Sequence, residues 1–222
     1  MDFRSDTRLQ RLCLGCIAVV AWCALVLQLY VMLKTSGAAA TPPLWTLADF
    51  LSYFTIWTNA LVAICVTVLL LWPNTRLGRF FSQSGTQTAI ASYIAFVSIA
   101  YNILLRHIWN PQGAAMVADE LLHDVGPIFY IVYWIGLSPK AGLRFLDAVP
   151  WLVYPLAYVA FAMARGALVH RYAYYFIDVD KLGIAAVVRN IGGLIVAFLV
   201  LGIVFLALAR VLTRRTSEAA RA

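Results

Sequence analysis

The chain has 222 residues, of which 63% are hydrophobic and only 12% charged, with a mean hydropathy of +0.84 and a formal net charge of +7. A soluble domain carries roughly 25% charged residues, so the polar surface needed to cover a globule in water is missing and an ordinary soluble fold is excluded. An integral membrane protein is expected, and the positive balance calls for no nucleic-acid partner, because basic residues flanking spans act as topology signals and headgroup contacts.

Six apolar stretches have the ~17–25 residues needed to cross a bilayer as a helix. They lie near 10–33, 47–72, 87–107, 120–138, 148–168 and 184–212. The expected fold is therefore all-α: a single membrane domain over 1–222, a six-helix bundle with both termini cytoplasmic. The first stretch is followed by Ala38 and Ala40, an A-x-A pattern that can mark signal cleavage. Its apolar run exceeds the ~7–15 residues of a signal core, so a retained helix is expected. It carries Cys13, Cys16 and Cys23, and with no second cysteine pair or histidine nearby these read as small packing residues rather than metal ligands.

Basic residues set the orientation. Of the 17, one side collects Arg4, Arg8, Arg11, Arg76, Arg79, Lys140, Arg144, Arg210, Arg214, Arg215 and Arg221. The other has Lys34, Arg106, Arg165, Arg171, Lys181 and Arg189. Proline and glycine punctuate the short connections, as at Pro42-Pro43, Pro73-Asn74 and Asn110-Pro111-Gln112-Gly113.

The second helix reads Ser52-Tyr53-Phe54-Thr55-Ile56-Trp57-Thr58-Asn59 near its outer end. Counted from Leu47, Thr55 is expected ~12 Å and Asn59 ~18 Å into the membrane. Ser52, Thr55 and Asn59 follow i, i+3, i+7 and are expected on one face. The third helix ends at the outer face with Tyr101, Asn102 and Arg106. The fourth begins there with Asp119, Glu120, His123 and Asp124, and His123, Pro127, Tyr130 and Trp134 share a face at i, i+4, i+7, i+11. The fifth ends with Arg165 and the sixth begins with Arg189 and Asn190. Polar groups in lipid cost several kcal/mol unless they face one another or water. One polar cavity in the outer half of the bundle is the expected arrangement.

Within that layer, Thr55 and His123 form the pair with chemical capacity. A threonine hydroxyl is a weak nucleophile until a base takes its proton, and histidine suits that task near neutral pH. Asn59 or an arginine is expected to hold an oxyanion, and Asp124 or Glu120 to orient the imidazole.

The stretches "YFTIWTN" and "LLHDVGPIFYIVYW", with "WLVYPLAYVAFAMARGALVHRYAYYFIDVDKLG", resemble the androgen-induced and androgen-dependent transmembrane hydrolase family, and within it the bacterial multi-pass relatives. The resemblance covers most of the chain from the second helix onward. It implies a threonine hydrolase of fatty acid esters, including esters of hydroxy fatty acids, with Thr55 as nucleophile and His123 as base. Ser52, Asn59, Asn102, Arg106, Asp124, Tyr130, Trp134, Arg165, Arg189 and Asn190 are the expected supporting or substrate-binding residues. No cofactor or metal is expected, the partners are a lipid ester and the membrane, and the location is the cell membrane. The alternative is a small-molecule or lipid transporter or binding protein without catalysis.

Overall fold

A computed structural model describes residues 7–219, and side chains over 8–214. Arg4 and Arg221 of the charge tally, and the Arg215 side chain, lie outside these. All regular structure among the described residues is helical. The chain runs α1 (Thr7–Ala38), α2 (Pro43–Phe50), α3 (Phe54–Leu71), α4 (Arg76–Phe81), α5 (Ser84–Ala100), α6 (Ala114–Glu120), α7 (Gly126–Leu137), α8 (Ala148–Trp151), α9 (Val153–Val169), α10 (Val179–Leu182) and α11 (Ile184–Ala219). Two π turns, Tyr101–Leu105 and Leu121–Val125, extend α5 and join α6 to α7.

Among the described residues, five helical segments are long and apolar enough to cross a membrane: Arg8–Ala38, Phe54–Leu71, Ser84–Leu105, Phe145–Val169 and Ile184–Arg214. The stretch expected as the fourth span is also helical throughout, from Ala114 to Leu137. Its first half carries Asp119, Glu120, His123 and Asp124, which lower its hydropathy.

Burial divides the bundle into a centre and a rim. More than half of α3 and α5 is buried, while α1, α9 and α11 turn most of their surface outward. On α1 the buried residues Leu14, Ile17, Ala21, Ala24 and Leu25 recur at helical spacing and form one stripe, which packs on α3. The outward face of α11 is Val188, Val196, Val200, Ile203 and Val204. The centre holds polar groups, Thr58, Asn59, Gln87, Thr88, Ser92, Asp119 and His123. Apolar rim and polar centre together are the distribution of a membrane protein, in which lipid replaces water outside and polar groups find partners within.

The expected helix over 47–72 is divided. α2 ends at Phe50, residues 51–53 turn, and α3 starts at Phe54 from Tyr53, which is extended at φ −92° and ψ 131°. Three bonds hold the turn. Ser52 Oγ donates to Ala48 O at 2.6 Å, Trp57 Nε1 to Leu51 O at 2.7 Å, and the Tyr158 hydroxyl to Ser52 O at 2.7 Å. Ser52 therefore belongs to the turn and not to the face of α3. Thr55 stands in the first turn of the crossing helix rather than two turns inside it.

The α6–α7 connection widens for a local reason. Pro127 has no N–H and its ring would crowd the carbonyl four residues back. The preceding Gly126 N–H instead reaches five residues back, to Leu121 O. Only glycine fits this close approach: a Cβ on Gly126 would stand 2.8 Å from Leu121 O. His123 sits in the middle of the widened turn.

Candidate active site

Thr55 and His123 come from different helices, and Thr55 Oγ1 lies 3.3 Å from His123 Nε2. The other ring nitrogen, Nδ1, lies 2.9 Å from the backbone carbonyl of Asp119 and 3.2 Å from Asp119 Oδ1. A carbonyl only accepts, so Nδ1 carries the proton. In the neutral ring Nε2 then presents a lone pair to the Thr55 hydroxyl. His123 and Asp119 are both buried.

Further groups fix this arrangement. The Tyr101 ring stacks on the imidazole with centroids 3.8 Å apart and planes within 14°, and its hydroxyl donates to Asp119 Oδ2. Tyr101 opens one π turn and His123 sits in the other, so the two widened turns meet at the site. Asn59 joins the helices, its Nδ2 donating to Thr55 O at 2.9 Å and to Leu122 O at 3.1 Å. It thereby ties the residue before His123 to the carbonyl of Thr55.

A second polar cluster lies beside the first. Arg106 pairs with Asp124 and reaches Glu120 at 3.3 Å, and Asn102 Nδ2 donates to Asp124 Oδ1 at 3.0 Å. The Arg106 guanidinium also lies 5.2 Å from the centre of the Tyr101 ring. The carboxylate at the imidazole is thus Asp119, four residues before His123, while Asp124 and Glu120 face Arg106. This corrects the expectation that Asp124 or Glu120 orients the ring. Asp124 follows His123 directly and projects ~100° around the helix.

The expected oxyanion donors are also engaged elsewhere. Asn59 spends its two N–H bonds on carbonyls. Arg106 faces carboxylates, and Arg165 pairs with Asp49 and donates to Arg171 O at 3.0 Å. The first turn of a helix, however, leaves backbone N–H groups without helical partners. At α3 the Tyr174 hydroxyl meets the N–H groups of Phe54 and Thr55 and the Thr55 side chain. Burial pushes the Tyr174 phenol above its ordinary range, against the pull of the Phe54 and Thr55 N–H groups.

The remaining expected site residues fall outside this cluster. Tyr130 is buried against Cys65, and Trp134 Nε1 donates to Thr88 Oγ1 at 3.0 Å, so both are core pins further along α7. Arg189 is exposed. Asn190 Nδ2 donates to Phe176 O at 2.9 Å and fastens the 3-10 turn Tyr175–Ile177 to α11.

A narrow apolar recess with about 70 Å³ of accessible space is lined by Thr55 and not by His123. Its walls are Phe54 and Thr55 of α3, Phe96 and Val97 of α5, and residues of α9 and α11. Tyr174, Phe176 and Ile177 stand at one end. Thr55 therefore lines an apolar recess while its hydroxyl faces His123 Nε2.

The chain matches no protein-family model, no curated protein and no solved structure.

Three groups at the site were given no role from the sequence. Asp119 was accessible, because i−4 puts it on the same helical face as His123. Tyr101 was seen as part of the polar layer, but its stacking depends on the π turn. Tyr174 lies in an aromatic run, and nothing in its sequence context ties it to Thr55.

Proposed function

We propose that this protein is an intramembrane lipid-ester hydrolase, a threonine-dependent carboxylic ester hydrolase related to the family its motifs resemble. The observation that carries the reading is the Thr55–His123 approach at 3.3 Å with Nδ1 held by the Asp119 carbonyl. A half-buried hydroxyl facing the free lone pair of a tautomer-locked imidazole is the arrangement of an activated nucleophile.

The reaction follows from the parts. Nε2 takes the Thr55 proton as Oγ1 attacks the acyl carbonyl, and the negative charge gathers on the carbonyl oxygen. The N–H groups of Phe54 and Thr55 stand ready for that oxygen once the Tyr174 hydroxyl gives way. Collapse expels the alcohol, which takes the proton from Nε2. Water, deprotonated by the same nitrogen, then cleaves the acyl-threonine and returns the free acid and Thr55. Asp119 holds the ring and stabilises the imidazolium formed in both halves.

In this reading the chain crosses the membrane six times, with 114–137 as the fourth crossing. Its polar first half is tolerated because it faces the bundle interior. Both termini are cytoplasmic, and the Thr55 end lies in the outer leaflet of the cell membrane, so fatty acid esters reach the site from the lipid. Esters of hydroxy fatty acids belong to the substrate class the resemblance suggests.

The test is turnover of p-nitrophenyl and branched fatty-acid esters by purified protein, with covalent labelling by a fluorophosphonate. Thr55→Ala and His123→Ala are expected to lose both, while Thr55→Ser retains measurable turnover. Wild-type rates in the two alanine variants would overturn the mechanism.

A further inference from the structure

We propose that the recess beside Thr55 is the acyl-chain site, and that the stacked pair Phe96–Phe198 forms its floor and sets the longest chain it accepts. The inference deepens the hydrolase reading and rests on it. It assigns the substrate as an ester of a medium-chain acid.

The two ends of the recess are marked along α11. Asn190 bonds Phe176 O at 2.9 Å, which places its neighbour Ile191 at the turn that closes one end. Phe198 lies seven residues further on, about 10 Å along the axis at ~1.5 Å per residue. There its ring stacks on Phe96 at 3.7 Å with planes 18° apart. A second layer lies behind it: Tyr93 stacks on Tyr154 at 4.8 Å and sets its ring edge-on to Phe198 at 6.4 Å. The Tyr93 hydroxyl is bonded to Trp151 O, so this layer is anchored on α8. Phe198 cannot retreat without displacing it.

The lining suits hydrocarbon. Apart from Thr55, its polar atoms are phenols, and the Tyr158 hydroxyl is turned to Ser52 O at 2.7 Å. An extended chain advances roughly 1.2 Å per bond, a third of the ~3.6 Å of an extended residue. A depth of about 10 Å therefore takes a chain of roughly eight carbons. Longer acids meet the Phe96–Phe198 stack.

The experiment uses the full chain in detergent with p-nitrophenyl esters from butanoate to palmitate, so that only the acyl part varies. Wild type is expected to peak in kcat/KM near octanoate and to fall at least about tenfold by palmitate, within the range one or two misfitted methylenes produce. Phe198→Ala should move the peak toward dodecanoate and raise the palmitate-to-octanoate ratio roughly tenfold. Phe198→Leu, the milder truncation, should shift the ratio less and in the same direction. Val97→Phe, which fills the recess, should move the peak toward butanoate. Thr55-dependent hydrolysis with no chain-length preference, or with a ratio unmoved by all three substitutions, overturns the chain-length floor and leaves the hydrolase reading standing. Absence of any Thr55-dependent hydrolysis overturns that reading, and the acyl site with it.

Discussion

Replacing Asp119 by asparagine separates the two things that residue does for His123. Nδ1 faces both the Asp119 backbone carbonyl at 2.9 Å and the side-chain Oδ1 at 3.2 Å. The substitution keeps the carbonyl, so the tautomer stays correct and Nε2 still presents its lone pair. What is lost is the negative charge facing the imidazolium that the proposed mechanism forms in its transition state. At about 3 Å and an effective dielectric near 20, that attraction has an upper limit of ~5 kcal/mol. Part of it is already spent on the Tyr101 hydroxyl bonded to Oδ2. A loss of about 3–4 kcal/mol follows, or roughly 10²–10³-fold in kcat. KM should change little, because the charge matters only once the ring is protonated. The assay is steady-state ester hydrolysis beside wild type, His123→Ala and Asp124→Asn. Asp124→Asn is expected to lose less than about tenfold, since its partners are Arg106 and Asn102. An Asp119→Asn enzyme within twofold of wild type would refute the orienting role. A loss matching His123→Ala would show that the backbone carbonyl does not hold the tautomer.

Three stability predictions accompany it, each read as thermal or denaturant unfolding in detergent. Asn59→Ala removes the bonds to Thr55 O and Leu122 O; it should cost roughly 1–3 kcal/mol and lower turnover by loosening the Thr55–His123 register. Asp49→Ala leaves the Arg165 guanidinium, whose side chain is 14% exposed, without its carboxylate. A cost of roughly 2–4 kcal/mol is expected, and an Asp49→Ala, Arg165→Leu double variant should recover part of it. Gly166→Ala drives a Cβ into the Tyr172 ring. It should destabilise by about 1–3 kcal/mol and displace the turn that carries Tyr174, whereas Gly136→Ala, with open space around it, should be silent.

Much of the architecture is written in periodicity and composition. The chain is 63% hydrophobic, so its backbone in lipid must be satisfied within helices or a closed barrel, and apolar runs of about 20 residues select helices and locate them. Thr55 and His123 could be singled out because hydroxyls and imidazoles are rare in such surroundings and both lie near the same ends of their helices. What sequence could not supply is where a helix breaks and which of several carboxylates turns inward. Nothing at residues 51–53 resembles a helix terminator; the turn exists because Tyr158 and Trp57 bond carbonyls there, and one of those two bonds comes from another helix. That break moves Thr55 from the middle of a long helix to the start of α3, beside N–H groups without helical partners. The choice of Asp119 over Asp124 is equally tertiary, since Arg106 at the end of α5 claims Asp124 and Tyr101 supports Asp119. Sequence by itself determined the class, the helical character of the chain and the candidate side chains. The tertiary structure decided their partners, because a hydrogen bond between helices depends on distances that no spacing along one chain encodes.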